Sequence, residues 1–390
     1  MAKIIVFTTR NIYPTFGGEK ERIFSIISCL PKGNEIVIYY LSKIKNDPET
    51  ITLGNANIIK LIPIYHSLKN ILFDNHLLNW LKYPLQVNIY QNRMMLKKVI
   101  ENDLDGNILI FHLFRSWQFY ECKNAYVWLE LTDLISKNYS KIRLRDYISY
   151  PKNIFYRSDL KRIVKLEKNL VKKVDVCTLI SRIEAEQFKC SNPLQNISYL
   201  PLIYTKTKNE GNKPEGTKIC IIGNFKSVQN QIILQESLNY FRLIKSAISG
   251  ASLKIVGNVP KHLQARNMMD DHVEFVGIVD NVGDAISDCK FGLCPLIQGA
   301  GVQNKILDYI ASGVIPIANS KAVREFQLCD RKDYIDLNGA DWISEMQRCA
   351  ADNNLFKRYL FEAKHCIDTY STKNGRVRLE NLLNVFCLEK

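Results

Sequence analysis

Lys305 and Asp308 stand three residues apart, just after the glycine-rich turn Gly299-Ala300-Gly301, and carry the clearest chemical potential in the chain. The run from Lys305 to Ser312 is patterned as a helix, with Leu307, Ile310 and Ala311 on the side that would face a sheet. Residues three apart share a helix face, so the spacing predicts Lys305 and Asp308 together on the opposite side, near the helix start. Free N–H groups of a first turn, unobstructed glycines and an ammonium make a site for an anion, and Val302, Gln303 and Asn304 lie on the same approach. A solvated surface ion pair is the competing reading of that spacing. The flanks favour the anion site. Phe291–Leu296 and Val314–Ala318 read as buried strands, Gly313 ends the helix between them, and open parallel sheets bind ligands at the carboxyl ends of strands.

Other segments place reactive or accommodating residues at strand ends. Gly17 and Gly18 follow the first strand, Lys3–Thr8, and would let backbone N–H groups approach a charged ligand with no Cβ in the way. His112 follows the apolar strand Asn107–Phe111, with Arg115 just beyond it, while Glu130 and Asp133 close the strand Ala125–Glu130. Gly223, Asn224 and Lys226 follow the strand Lys218–Ile222. The structural readings are a helix-leading loop for the glycine pair and a packed imidazole for His112. Ser181-Arg-Ile-Glu184 has capping-box spacing and is read as structural. Asp103-Leu-Asp105 and Asp270-Asp271 have carboxylates that a divalent cation could use, but both precede strands and read as turn residues, so no metal site is expected.

The elements that must position these residues alternate strand with helix through both halves of the chain, the pattern of an α/β fold with doubly wound sheets. In the first half the helix after Gly18 has Ile23, Ile26, Ile27 and Leu30 on one face, and strands follow at Glu35–Leu41, Ile58–Ile62, Asn107–Phe111, Ala125–Glu130, Val176–Ile180 and Ile197–Leu200. A polar segment rich in Gly and Pro, 205–217, reads as a linker between an N-terminal domain, 1–204, and a C-terminal domain, 218–370. The second domain repeats the alternation with strands at Lys218–Ile222, Ser252–Val256, Val273–Val276, Phe291–Leu296, Val314–Ala318 and Tyr334–Leu337. Residues 371–390 read as a terminal helix returning to the N-terminal domain.

The formal net charge of +14 is concentrated in the first half, where residues 1–200 hold 29 Lys and Arg against 18 Asp and Glu. Twelve basic residues fall between Lys137 and Lys173, interleaved with tyrosines and Phe155. The segment Leu68–Tyr83 mixes leucines, Phe73, Trp80 and lysines in the manner of a helix lying on a bilayer, with a core-facing amphipathic helix as the alternative. Such surfaces suit anionic headgroups or a pyrophosphate-linked acceptor. Nucleic acid is not expected as a partner, because no recognised nucleic-acid motif accompanies the basic run. The eleven cysteines are scattered singly and read as free thiols of a reducing compartment. With no signal-peptide pattern at the start and no membrane-spanning run, a cytoplasmic protein is expected, with any membrane contact peripheral.

The run Lys305-Ile-Leu-Asp-Tyr-Ile-Ala-Ser-Gly313, followed by Val-Ile-Pro-Ile-Ala-Asn319, resembles the donor-site signature of family 4 glycosyltransferases of the GT-B fold. The resemblance implies two Rossmann-like domains facing a cleft, with the lysine on the donor diphosphate and the acidic residue on the ribose. It also implies that Tyr13-Pro-Thr-Phe-Gly-Gly18 closes over the donor phosphates and that His112 lies beside the donor sugar. The acceptor side then falls to Arg115, Glu130 and Asp133. Two departures stand out. Counting back eight residues from Asp308 lands on Ala300, where the family often has a second glutamate, and Gly223-Asn-Phe-Lys226 replaces its usual arginine and lysine pair. The implied activity is hexosyl transfer from a nucleotide sugar to a saccharide, lipid-linked in bacterial polysaccharide, O-antigen or capsule synthesis. It would proceed with retention and with neither metal nor other cofactor. A nucleotide-sugar 2-epimerase of the same architecture, or a basic membrane-surface or nucleic-acid binding protein on a degenerate scaffold, are the alternatives.

Overall fold

The computed structural model describes residues 3–13, 17–54, 57–141, 152–206, 216–226, 228–261, 263–264, 270–296 and 302–388. The chain divides into two compact units, Met1–Ile203 with Thr372–Lys390, and Tyr204–Ser371. In the first unit the strands are β1 (Ile4–Thr8), β2 (Glu35–Ser42), β3 (Thr50–Gly54), β4 (Asn57–Tyr65), β5 (Ile108–His112), β6 (Tyr126–Thr132), β7 (Val176–Leu179) and β8 (Ile197–Tyr199). They form one sheet in the order β3-β4-β2-β1-β5-β6-β7-β8. Neighbouring strands are parallel except for β3, which runs antiparallel to β4 as an edge strand that the sequence reading lacks.

Side chains of a strand alternate between faces, and here both faces are covered. Ile5 and Phe7 of β1 enter one apolar layer with Val87, Met95, Val99, Ile163, Leu166 and Leu170. Ile4 and Val6 enter the other, with Ile23, Ile26, Ile27 and Leu30 of the predicted helix face, and with Leu379 and Leu383. The helix Gly18–Cys29 therefore sits against the sheet through the face its periodicity predicts. The terminal helix Thr372–Leu388 packs into that same layer.

The second unit contains β9 (Lys218–Ile222), β10 (Ser252–Val256), β11 (Val273–Gly277), β12 (Phe291–Cys294), β13 (Ile315–Ala318) and β14 (Ile335–Asp336). Their order is β11-β10-β9-β12-β13-β14, and all neighbours are parallel. Counted within this unit the order is 3-2-1-4-5-6, so the winding reverses between β9 and β12. Lys206 belongs to this unit, and residues 207–215 of the expected linker lie outside the described residues.

The structure corrects the core-facing reading of Leu68–Tyr83. Two short helices, Leu68–Phe73 and Leu77–Lys82, replace the single helix, and neither buries any residue.

Candidate active site

Where the winding reverses in the second unit, the sheet opens. β9 and β12 pair only at Ile219 with Phe291 and Cys220 with Gly292. Beyond that point the Tyr309 hydroxyl stands between the strands, accepting from the Ile222 N–H at 3.3 Å and donating to the Leu293 carbonyl at 3.0 Å. Its ring covers Gly292 so closely that a Cβ there would lie 2.6 Å from it. The carboxyl ends of β9 and β12 lie at this switch point, the position where open α/β sheets take ligands, and the segments that follow them form its two lips. One lip is Gly223, Asn224 and Lys226. Gly223 donates to the Val256 carbonyl at 3.1 Å, and Gly257, at φ +129°, approaches it so tightly that a Cβ on Gly257 would meet the Gly223 oxygen at 1.9 Å. Lys226 is exposed and precedes the 20-residue helix Val228–Ala247.

The other lip is Val302, Gln303 and Asn304, leading into the helix Lys305–Ala311; Gly299 and Gly301 lie outside the described residues. Lys305 is half-buried as a residue, yet its Nζ is fully shielded and has no hydrogen-bond partner among the described residues. Burial lowers its pKa, against a weaker opposing pull from Cys294 and Asp308. Asp308 removes the competing reading of a solvated surface pair. It is only 8% exposed, and its Oδ1 accepts from the Tyr204 hydroxyl at 3.2 Å and from the Lys206 Nζ at 2.9 Å. Lys305 and Asp308 are thus not a surface ion pair. Nothing local to Tyr204 or Lys206 signals a partner a hundred residues away.

The first unit gathers its candidates at the equivalent place, the carboxyl ends of β1 and β5. Gly17 caps the helix Gly18–Cys29 at φ +99°, a conformation that suits glycine, and a Cβ there would meet nothing within 4 Å. Residues 14–16 of that loop lie outside the described residues. His112 ends β5 with its Nε2 buried and unpartnered among the described residues. Burial first, then the charges of Arg115 and Arg22, hold its pKa down to about 3, so the imidazole is neutral at physiological pH. Arg115 donates to Thr9 Oγ1 at 3.1 Å and pairs with Glu19. Asp133 follows β6, its N–H donating to the Leu131 carbonyl.

Glu130 has a structural role that displaces the acceptor-side reading. It is fully buried and takes Arg22 Nε at 2.9 Å and Nη2 at 3.2 Å, with the Thr178 hydroxyl also bonded to it. Arg22 also donates to the carbonyls of Leu200 at 2.8 Å and Pro201 at 2.6 Å, so one ion pair ties the helix Gly18–Cys29 to β6, β7 and the chain after β8. Ser181 caps its helix by accepting from the Glu184 N–H at 3.1 Å. Asp103 accepts backbone N–H groups of Lys123, Asn124 and Ala125, which makes it a turn residue. Among the described residues no cluster of three His, Cys, Asp or Glu could hold a metal.

Residues 216–336 match the family Glycosyl transferases group 1, a span that contains both lips of the second unit's switch point. No curated protein sequence matches the chain. Among solved structures it is similar to sucrose-phosphate synthase from Thermosynechococcus elongatus, with a TM-score of 0.73 at 12% identity over 100% of both chains. Anabaena Alr3699/HepE in complex with UDP and glucose gives 0.65 at 9% identity over 98% of this chain and 100% of that one. A mutant of S. aureus TarM in complex with fondaparinux, alpha-GlcNAc-glycerol and UDP gives 0.58 at 14% identity over 75% of this chain. The chain spans 58% of the length of that protein. At such identities the likeness is one of fold, two Rossmann-like domains of the GT-B type. Residues 216–336 are therefore similar to a group 1 glycosyltransferase domain, within a chain that has the GT-B fold.

Proposed function

We propose that this chain transfers a hexose from a nucleotide-sugar donor to a saccharide acceptor, with retention and without a metal ion. The observation that carries the reading is Lys305: a shielded ammonium with no hydrogen-bond partner among the described residues, at the switch point of a domain that matches the glycosyltransferase family. Breaking a bond between a sugar and a diphosphate leaves charge on the departing oxygen, and a cation already placed there stabilises the transition state without reorganising. Lys305 takes that role, with Lys226 and the start of the helix Val228–Ala247 holding the rest of the diphosphate. Gly223, Asn224 and the 302–304 segment line the approach. Two of the similar structures contain UDP, which makes UDP-sugars the first donors to test. Asp308, already bonded to Tyr204 and Lys206, orders the helix that carries Lys305; a ribose contact is assigned to it by resemblance.

The acceptor is assigned to the first unit, whose rim carries Arg115 and Asp133; by resemblance Gly17 and Gly18 of that rim face the donor phosphates and His112 the donor sugar. A neutral imidazole whose buried Nε2 has no partner among the described residues suits a hydrogen bond with a hydroxyl of the donor sugar, and His112 is given that contact. The positive excess of residues 1–200 supports an acceptor bearing phosphate, as in a lipid-linked saccharide of bacterial surface-polysaccharide synthesis at the cytoplasmic face. The test is to incubate the protein with UDP-, GDP-, dTDP- and CMP-sugars, with and without lipid-linked saccharide acceptors and EDTA. The expected result is acceptor-dependent release of nucleotide from one donor, unchanged by EDTA. Conversion of donor without acceptor would replace this reading with epimerisation, and loss of activity in EDTA would overturn the metal-free mechanism.

A further inference from the structure

The helices Leu68–Phe73 and Leu77–Lys82 are built inside out. A helix on a water-soluble surface turns its leucines to the core and its polar residues to solvent. Here Asn75 and the Asn79 carbonyl tie the pair to Asn88, Asp74 accepts the Arg93 N–H at 3.1 Å, and further amide bonds brace the segment itself. Asn70 Nδ2 donates to Asp74 Oδ2 at 2.8 Å, Asn79 Nδ2 to Asn75 Oδ1 at 2.8 Å and Asn75 Nδ2 to Asn88 Oδ1 at 2.6 Å. Asn88 is fully buried and donates to the carbonyls of Asn79, Tyr83 and Pro84. The leucines are left outside: Leu68, Leu72, Phe73, Leu77, Leu78 and Leu81 are each 67–82% exposed. A contiguous apolar patch on a polar footing marks a surface that meets something apolar.

The charge beside the patch indicates what that is. Lys82, at the end of the second helix, lines a cavity of about 270 Å³ with Arg162, Lys165, Lys172 and Lys173, over the ring of Trp117. Arg162 faces Asp159 at 3.8 Å and Lys173 pairs with Glu121 at 2.6 Å, whereas Lys82, Lys165 and Lys172 have no carboxylate at ion-pair distance among the described residues. Asp159 also accepts the Leu85 N–H at 2.8 Å, which fastens the basic helix Lys152–Leu170 to the chain leaving the apolar pair. The fold thus sets an exposed apolar wedge next to a cavity with cations to spare.

We propose that the hairpin 68–82 inserts into the interfacial region of an anionic phospholipid leaflet, with the cavity of Lys82, Lys165 and Lys172 taking a lipid headgroup phosphate. Buried apolar area and attraction to anionic lipid add in such binding. The inference does not depend on the glycosyl-transfer reading, because it is measured with no donor present.

The experiment is co-sedimentation of the full chain with phosphatidylcholine vesicles, with and without phosphatidylglycerol. It is run for wild type, for Leu77→Ser/Leu78→Ser/Leu81→Ser and for Lys165→Glu/Lys172→Glu. All five changes are intended for the surface, and circular dichroism melts establish that the variants remain folded. Wild type is expected to bind only the anionic vesicles and each variant to lose at least about tenfold in partitioning. Emission of Trp80, on the second helix, should shift to the blue on binding, and Trp80→Phe should remove that shift. Anionic-vesicle binding that the leucine variant retains in full would overturn the wedge. Failure of wild type to bind, self-association abolished by the same leucine changes, or binding to a single-stranded oligonucleotide in place of vesicles would overturn the proposal altogether.

Discussion

Lys305→Met separates what one charge costs the empty protein from what it contributes to ligand binding. Methionine keeps the length and apolar stem of lysine and removes the ammonium. In the free protein that ammonium is shielded and without a hydrogen-bond partner among the described residues, and burial disfavours its charged form. The empty variant should therefore melt at or above the wild-type temperature at neutral pH. With nucleoside diphosphate the order reverses. A hydrogen bond to a charged group contributes about 1.5–3 kcal/mol net, which corresponds to about 10- to 150-fold in Kd. At ligand about 100 times the wild-type Kd, wild type gains about 2.7 kcal/mol, and the variant between about 0.3 and 1.4 kcal/mol. Differential scanning fluorimetry with UDP, GDP, dTDP and CMP reads both effects in one plate, and titration calorimetry gives the Kd values. Burial leaves the folded state binding fewer protons than the unfolded chain above the depressed pKa, so wild-type stability at this site rises with pH towards the ordinary lysine value. The variant lacks that rise. An equal ligand shift in wild type and variant would remove Lys305 from the diphosphate site. An empty variant that melts well below wild type would make the lysine structural.

Other sites give sharp expectations. Glu130→Ala leaves Arg22 charged and buried, and should destabilise the first unit by about 3–5 kcal/mol in chemical denaturation, whereas Arg22→Met/Glu130→Leu should recover most of that loss. Equal damage from the single and double variants would show that packing, not the orphaned charge, dominates. Burial pushes the Glu167 carboxyl up to about 7 despite bonds from Ser136, so the folded state holds its proton longer than the unfolded chain. The stability this contributes below the ordinary glutamate pKa of 4.5 is lost as pH rises to about 7. Glu167→Gln should flatten melting temperature against pH across that window and raise it at neutral pH; an unchanged slope would place the titration elsewhere.

What the sequence carried by itself was local. The apolar runs that become β1, β2, β5 and β9 and the face of Ile23, Ile26 and Ile27 are legible because strand and helix periodicities act over a few residues. The position of Lys305 after a glycine-rich turn between two strands was legible for the same reason. Its surroundings were not. Asp308 meets Lys206 across 102 residues and Glu130 meets Arg22 across 108, and nothing near any of the four announces its partner. Periodicity also reports that a face is apolar without reporting which way it turns. The leucines of 68–82 point outward while Asn88, buried nearby, takes up carbonyls and the Asn75 amide of the polar side. The edge strand β3 pairs with a single neighbour and has too short a pattern to declare itself. Pairings between distant residues depend on where folding brings the chain back upon itself, and that decided which charges are buried, which lysines remain unpaired and which leucines meet solvent.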